Sequence, residues 1–409
     1  MPRPPSWKIN LAMLWISQLF VMAGFAAMIP FVSLFIKNDL HVTDPGSLGF
    51  YVSMFSFAGA IGYAVFCPIW GMLSDRFGIK PMLLRGTFVS AIFFPMMGYV
   101  SHPGTLVALR FITAACAGTT AASHIMIART TPNNRQGFAQ GVLNSAYWSG
   151  SVLGNVIGGL LIHYFNYRYA FWFCGILYFL AGFAILFTRD NGELMTNRAA
   201  MHPHHRYHPF GPLPAFSSAV LMLFALFFVN AIARTTDIPY FALRIESFTS
   251  KEAAPYWTGI ISGIVCIGAV LSGVIGGYLI DRIAPLKVLR PAVVITAVTL
   301  ALQGFTSSLV FFTITRTLQY FVMGAINPLL QKLLSAVTPA RKRGASFGFS
   351  STAASAGSAV SAMLGGAVFS LSGGTTGVFI AAAIFFLATL PLYERFIVRI
   401  MTKKYYHAN

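Results

Sequence analysis

Twelve long apolar stretches, separated by short polar loops, dominate this sequence and restrict what it can fold into. A helix needs roughly 20 apolar residues to cross about 30 Å of bilayer hydrocarbon, where every backbone hydrogen bond must be made within the protein. We therefore predict an all-α membrane protein with twelve transmembrane helices, near residues 11–36, 47–73, 82–101, 105–128, 138–163, 168–188, 215–242, 255–280, 286–306, 308–334, 345–370 and 375–397.

The composition excludes several other classes of protein. Hydrophobic residues make up 56% of the chain and charged residues only 9%, whereas a soluble domain carries about 25% charged residues. This excludes a soluble enzyme, a disordered protein and a secreted disulfide scaffold. The net charge of +18 arises from basic residues between apolar runs, which favours contact with anionic lipid headgroups over nucleic acid. The cysteines have no metal-site or disulfide spacing and are predicted to be apolar packing residues: Cys67, Cys116, Cys174 and Cys266.

Lysine and arginine are distributed unequally between the two sets of loops. If the N-terminus is cytoplasmic, 21 of the 28 basic residues face the cytoplasm, and only Lys37, Arg168, Arg244 and Lys251 face outward. Cytoplasmic loops of membrane proteins carry such an excess. The sequence therefore predicts cytoplasmic termini, with a first apolar run that is too long for a cleaved signal peptide and stays as a span.

The longest polar interruption lies between the sixth and seventh spans. It predicts three regions: an N-terminal six-helix bundle (1–188), a cytoplasmic linker (189–214) and a C-terminal six-helix bundle (215–409). The linker could bind a metal through four histidines, but its prolines favour a solvated segment without metal. These histidines are His202, His204, His205 and His208.

The second half of the sequence repeats the first at an offset of about 206 residues. GMLSDR (71–76) after the second span matches GYLIDR (277–282) after the eighth, and Arg110 in the fourth span matches Arg316 in the tenth. At an offset one residue larger, GSVLGNVIGG (150–159) matches GSAVSAMLGG (357–366). Because each repeat has an even number of spans, both cross the membrane in the same direction. Two parallel six-helix repeats are a known transporter architecture.

Three of these motifs resemble those of the major facilitator superfamily. GMLSDRFGIKPMLL (71–84) resembles its cytoplasmic loop signature, and Arg110 lies where its drug exporters carry an arginine in span 4. The span 5 run 150–159 resembles the motif of drug:proton antiporters, with Asn155 in place of the motif's proline. The sequence is most similar to the twelve-span bacterial multidrug and glycolipid exporters. The resemblance implies the major facilitator fold and transport by alternating access.

The repeated loop motif is predicted to gate the cytoplasmic side. A glycine at a helix end lets two helices approach closely, and a carboxylate near the positive end of a neighbouring helix gains roughly 0.3–1 kcal/mol. Together with the resemblance to the superfamily, this implies that Asp75 latches the outward-facing state. The alternative is that the motif only anchors topology. The predicted gating residues are Gly71, Asp75, Arg76, Asp281 and Arg282.

Polar residues within the spans point to a substrate site, because an ionisable group near the bilayer centre costs at least about 2.5 kcal/mol. Asn230, Arg234 and Asp237 follow helical spacing in span 7, as do Arg316 and Tyr320 in span 10. Spans 1, 4, 7 and 10 are equivalent in the two repeats, and in the resembled fold they line the cavity. The predicted substrate-binding residues are Gln18, Met22, Phe25, Arg110, Asn144, Tyr147, Asn230, Arg316, Tyr320 and Asn327. The aromatic and Met members could equally be core packing.

Asp237 is the predicted proton-coupling residue, together with Arg234 one turn away. It is the only carboxylate that lies well inside a span and away from the loop motifs, and burial and a neighbouring cation both control protonation. Pro239 just beyond it predicts a local break in the helix. The alternatives are a static Arg234–Asp237 structural pair, or a proton carried by His124, which could also be simply hydrogen-bonded.

These features predict a secondary active transporter in the bacterial inner membrane, exporting amphipathic organic compounds in exchange for protons. The excess of arginine within the spans favours anionic or zwitterionic substrates. One alternative is therefore a specific exporter or flippase of an anionic metabolite, siderophore or glycolipid; another is a membrane receptor or scaffold that transports nothing. We expect a monomer with no enzymatic activity, cofactor, metal or nucleic-acid partner, whose partners are the small-molecule substrate, protons and the lipid bilayer.

Overall fold

The computed structural model describes residues 7–132, 135–188, 216–338 and 343–406, and these residues form helices without strands. The helices make twelve segments in chain order, and eight segments are single helices. These are segments 2 (Pro45–Phe77), 3 (Ile79–Met97), 5 (Gln136–Tyr164), 6 (Tyr167–Leu186), 8 (Ala254–Arg282), 9 (Pro285–Phe305), 11 (Arg343–Ser372) and 12 (Thr375–Tyr406).

The other four segments are broken near their middle. Segment 1 comprises Trp7–Met28, a 3₁₀ turn at Ile29–Phe31 and Val32–Asn38. Segment 4 comprises Pro103–Ala115 and Thr119–Thr130. Segment 7 comprises Ser218–Thr235, a 3₁₀ turn at Ile238–Tyr240 and Phe241–Glu246, and segment 10 comprises Leu309–Met323 and Ile326–Val337. The broken segments 1, 4, 7 and 10 hold equivalent places in the two repeats.

Proline and glycine explain the breaks. Pro30 and Pro239 lack a backbone N–H and clash with the preceding helical turn, and each is the second residue of a 3₁₀ turn. Gly118 has a φ of 122°, a conformation that side chains with a Cβ rarely adopt. Segment 10 is interrupted at Gly324 and Ala325. The break predicted at Pro239 is thus confirmed, and the internal repeat extends to the backbone.

Ten candidate membrane spans are found among the described residues, by length and apolar composition. The two segments that fall short are segment 3, which contains Lys80 and Arg85, and segment 5, which is rich in Gly, Ser and Asn. Segment 5 packs between segments 1 and 8, so little of it needs to be strongly apolar. The all-α multi-pass fold is confirmed, while the count of twelve spans stays a prediction.

Glycines let the segments approach without side chains between them. A Cβ built on Gly154 of segment 5 would overlap the backbone of Ala23 in segment 1. Between the halves, a Cβ on Gly159 would lie 3.0 Å from Cα of Gly259 in segment 8, and Gly366 of segment 11 packs similarly against segment 2. The glycine-rich runs thus form seams, including the seam between the two halves.

Among the described residues, several contacts between the halves lie at the ends that the positive-inside count places outside the cell, called the outer ends below. Lys37 Nζ of segment 1 lies 2.5 Å from Glu246 Oε2 of segment 7. The Tyr240 hydroxyl donates to the Gly49 carbonyl at 3.4 Å. One apolar cluster also joins both halves here and includes Phe35, Tyr240 and Phe369. The outer ends are therefore closed.

Some predicted features lie outside the described residues. These are the linker 189–214 with its four histidines, and the side chains of Gly71, Asp75, Arg76 and Asp281. Arg282 ends segment 8 with an exposed side chain. All four cysteines are free, with Cys174 buried and the others half-buried, as expected for packing residues.

Candidate functional site

A cavity of about 660 Å³ lies within the N-terminal half and borders the other half. Segments 1 to 6 all contribute to its wall, and the C-terminal half adds Thr235, Ser355 and Ser358. Hydroxyl groups and aromatic rings make up much of this lining. Four of the predicted substrate-binding residues line it: Met22, Phe25, Arg110 and Tyr147.

Arg110 is the charged group in the lining of this cavity. Its guanidinium carbon lies 5.3 Å from the ring centre of Phe25 and 5.4 Å from that of Phe55, and such cation–π contacts are each worth about 0.5–2 kcal/mol. Gly59 makes room for it, since a Cβ there would lie 2.7 Å from Arg110 Nε. That Nε is buried and has no hydrogen-bond partner. No carboxylate of the described residues pairs with Arg110.

The equivalent residue of the second repeat, Arg316, has the opposite environment. It forms an ion pair with Asp237, and both side chains are at least 97% buried. Arg316 Nη1 also donates to Gln303 Oε1 at 3.3 Å and to Gln319 Oε1 at 3.1 Å. Gln303 Nε2 in turn donates to Gln319 Oε1 at 3.0 Å. Asp237 Oδ1 has no hydrogen-bond partner among the described residues. The pair is therefore buried, and the additional hydrogen bonds around it are made by the arginine.

The alternative of a static Arg234–Asp237 pair is wrong, because Asp237 pairs with Arg316. Helical spacing would place Arg234 and Asp237 on one face, but the helix ends at Thr235 and a 3₁₀ turn begins at Ile238. Arg234 is half-buried and has no ion-pair or hydrogen-bond partner in the described part of the chain. It lies close enough to interact electrostatically with Tyr147 of the N-terminal half.

The remaining predicted polar residues connect helices within one half. In the C-terminal half, Asn230 Nδ2 donates to Asn327 Oδ1 at 3.0 Å, and the Tyr393 hydroxyl donates to Asn230 Oδ1 at 2.9 Å. In the N-terminal half, Gln18 Nε2 donates to Thr120 Oγ1 at 3.0 Å. Gln18, Asn230, Asn327 and Tyr393 do not line the cavity around Arg110, whereas Thr120 does.

Three further predicted positions have other surroundings. Asn144 is exposed and lies outside the lining of the cavity. Tyr320 packs its ring against Arg316, 5.0 Å from the guanidinium carbon. His124 is hydrogen-bonded to Gln140, whose Nε2 also donates to the His124 carbonyl at 2.9 Å. A hydrogen-bonded structural histidine was one of the two interpretations of His124.

Comparison with known proteins decides the family. Residues 14–251 and 223–404 match the Major Facilitator Superfamily. The chain belongs to this superfamily. Its fold resembles the crystal structure of the POT family transporter PepTSo, with a TM-score of 0.76, 12% identity, and coverage of 97% of this chain and 99% of that one.

Two curated relatives of this facilitator are drug exporters by name. The multidrug resistance protein MdtG of Salmonella arizonae is 26% identical over 382 residues, 93% of each chain. The multi-drug resistance efflux pump PmrA homolog of Lactococcus lactis is 27% identical over 372 residues, 89% of each chain. The resemblance inferred from the sequence motifs is thereby confirmed.

The expectation that Arg110, Asp237 and Arg316 face one chamber is wrong for this facilitator. Arg110 faces the cavity, whereas Gln303, Gln319 and aromatic rings enclose the Arg316–Asp237 pair within the C-terminal half. Neither glutamine was among the predicted site residues. The sequence does contain an indication of both glutamines, because Gln319 lies one helical turn from Arg316 and Gln303 is a polar residue inside an apolar run.

Proposed function

We propose that this facilitator exports amphipathic organic compounds from bacteria in exchange for protons, by alternating access across the inner membrane. The names of its relatives support drug export. The observation that carries proton coupling is the sealed Arg316–Asp237 pair beside the break in segment 7. A titratable group that joins two discontinuous helices can link protonation to a change of conformation.

Protonation of Asp237 would remove the counter-charge of Arg316. A buried cation without its partner costs several kcal/mol, so the sealed arrangement is stable only while Asp237 is charged. The 3₁₀ turn after Asp237 leads into Phe241–Glu246, and Glu246 holds Lys37 at the outer ends. Loss of the inner pair therefore changes the segment that closes the outer side, which couples protonation of Asp237 to the exchange between outward-closed and outward-open conformations.

The moving parts of this cycle are the two predicted bundles, 1–188 and 215–409, with both termini in the cytoplasm. They rock about the cavity that contains Arg110. In the outward-facing state, Asp75 would latch the cytoplasmic side. Arg234 lies three residues before Asp237 and has no ion-pair partner among the described residues, so it is a cation available to Asp237 when segment 7 rearranges at its break.

The decisive experiment measures proton movement in proteoliposomes that contain the purified protein and a luminal pH dye. A substrate of the wild-type protein should dissipate an imposed pH gradient. Asp237→Asn keeps an acceptor oxygen for Arg316 but cannot exchange a proton, so substrate binding should persist while substrate-driven proton flux falls to background. Glu394→Gln is the matched control, because Glu394 is a surface carboxylate paired with Arg290 at 2.7 Å.

Two results would contradict this proposal. Undiminished proton flux in Asp237→Asn would remove Asp237 from the coupling step. Absence of flux for every amphipathic cation, anion and lipid tested with the wild-type protein, with binding retained, would favour a receptor or scaffold that transports nothing.

A further inference from the structure

The cavity contains a positive charge that no carboxylate of the described residues neutralises. Each buried or half-buried carboxylate of the described residues already has a cation: Asp237 has Arg316, Glu246 has Lys37 and Glu394 has Arg290. The other described acids, Asp39, Asp44 and Glu252, lie in the loops at the outer ends. Arg110, in contrast, has no described carboxylate as a partner, and its guanidinium group lies near the rings of Phe25 and Phe55.

Two further acidic residues belong to described helices, Asp75 of segment 2 and Asp281 of segment 8. Asp75 belongs to the same continuous helix as Gly59, which touches Arg110, but it lies sixteen residues further along. At 1.5 Å per residue its backbone is about 24 Å away. Asp281 lies one residue from the cytoplasmic end of segment 8, which belongs to the other half.

An uncompensated guanidinium in a cavity is a recognition element for an oxyanion. Its planar N–H groups match a carboxylate or phosphate in a bidentate way, and charge-assisted hydrogen bonds are about twice as strong as neutral ones. Arg110 Nε is buried without a partner, and Gly59 lets the guanidinium group lie close against segment 2 at the wall of the cavity. The guanidinium lies near Phe25 and Phe55, which can flank the apolar part of an organic ion.

We propose that the transported compound is an amphipathic organic anion whose acidic group (carboxylate, sulfonate or phosphate) binds Arg110. Its apolar body packs against Phe25, Phe55 and Met22, in a cavity whose volume is within the range usual for drug-sized ligands. This inference rests on the proposed transport function and specifies its substrate class. The substrate's acid thus neutralises Arg110 as Asp237 neutralises Arg316 in the other repeat.

The test compares three fluorescent probes with one dansyl body: dansylglycine, which is an anion, its neutral amide, and a trimethylammonium derivative. Binding is measured to the full-length protein in lipid nanodiscs at one pH, and signal from empty nanodiscs is subtracted. The wild-type protein should bind dansylglycine at least about tenfold more tightly than the amide, and the cation most weakly. Arg110→Gln should reduce the preference for the anion over the amide to less than about twofold.

Two further variants keep the result interpretable. Arg168→Gln is the matched control, since Arg168 lies exposed at the outer end, 5.4 Å from the ring centre of Tyr99, and should leave the preference unchanged. Gly59→Ala retains every charge but displaces the Arg110 guanidinium, so it should weaken anion binding even if Arg110→Gln fails to fold. The displaced group is the flexible end of a side chain, so the fold should tolerate this change.

Equal binding of anion and amide to the wild-type protein, or tighter binding of the cation, would overturn the proposal. So would an anion preference that survives both Arg110→Gln and Gly59→Ala. Because these measurements use no pH gradient, they are independent of the Asp237 experiment. A failure of proton coupling with retained anion preference would refute the proposed antiport alone.

Discussion

The two halves of this protein carry an arginine at equivalent positions of the repeat, but the surroundings of the two arginines are opposite in character. Arg316 is sealed, paired with Asp237 and hydrogen-bonded by two glutamines. Arg110 faces a cavity, touches aromatic rings and leaves its Nε without a partner. Similar helix breaks surround both arginines, so the backbone alone does not explain the difference.

Three sequence differences account for it. Aligned on the Ile-Pro-aromatic turns of segments 1 and 7, Met28 takes the place of Asp237. Aligned on Gly98 and Gly304 near the ends of segments 3 and 9, Met97 takes the place of Gln303. Aligned on the two arginines, Thr113 corresponds to Gln319.

These differences suggest that the arginines of the two repeats have different functions. The second repeat carries an internal counter-charge that a proton can remove. The first repeat lacks one, and a substrate can supply it. A duplicated scaffold with two similar hinges has in this way acquired two chemically different sites.

The largest expected difference between the halves is in stability. Asp237→Ala leaves Arg316 a buried, unpaired cation and should lower the free energy of unfolding by about 3–5 kcal/mol. Arg110→Met removes an unpaired charge and should change it by less than about 1 kcal/mol. Denaturant unfolding in mild detergent measures both values. The double variant Asp237→Leu/Arg316→Met should recover most of the loss, and equal losses for Asp237→Ala and Arg110→Met would refute the contrast.

A carboxylate introduced near Arg110 should give the first repeat a buried ion pair like the Arg316–Asp237 pair of the second repeat. Met28→Asp places a carboxylate at the position equivalent to Asp237, where it should pair with Arg110. Binding of dansylglycine in nanodiscs should then fall about tenfold, which corresponds to about 1.4 kcal/mol, while binding of the neutral amide changes little. Met28→Leu is the control for volume. Unchanged anion binding in a folded Met28→Asp protein would show that the two repeats are not equivalent in geometry.

A smaller effect on the conformational equilibrium is expected at the outer ends, where equivalent positions of the two halves contact each other. Lys37 and Glu246 lie 209 residues apart, the same offset that relates the Ile-Pro turns, so the pair bridges equivalent positions of the repeats. The lysine is 37% exposed, and such a pair is worth about 0.5–1 kcal/mol. Glu246→Gln should shift the population of outward-open molecules about two- to fivefold, measured as spin-label distances across the outer ends.

A charge swap is the control for that shift. Lys37→Glu/Glu246→Lys should restore the closed population, and high salt should reduce the difference between the wild-type protein and Glu246→Gln. A shift of the same size in Glu394→Gln, whose carboxylate pairs with Arg290 within the C-terminal half, would indicate a general electrostatic effect and contradict the gate.

The sequence predicts the architecture well because membrane helices and repeats leave strong local signals. Apolar runs, the match of Arg110 with Arg316 and the break at Pro239 can all be recognised from the order of the amino acids. The partner of Asp237 cannot, because helical spacing assumes a continuous helix and the break after Thr235 interrupts it. The true partner lies 79 residues further along the chain, so only tertiary packing brings the two together.

The smallest expected difference between the two repeats is in the N-terminal turn of segment 2, compared with that of segment 8. Asp44 caps this helix by accepting a hydrogen bond from the Ser47 N–H at 2.8 Å, and this bond holds the Asp44 pKa below its usual value. Its stabilising effect is therefore complete above the ordinary Asp pKa and lost as the pH falls through the lowered one. Below that pH, the amides of residues 46–48 should lose hydrogen-exchange protection relative to the amides of residues 256 and 257 at the start of segment 8. Asp44→Asn, which still caps, should abolish this pH dependence, and an unchanged profile would contradict the assignment.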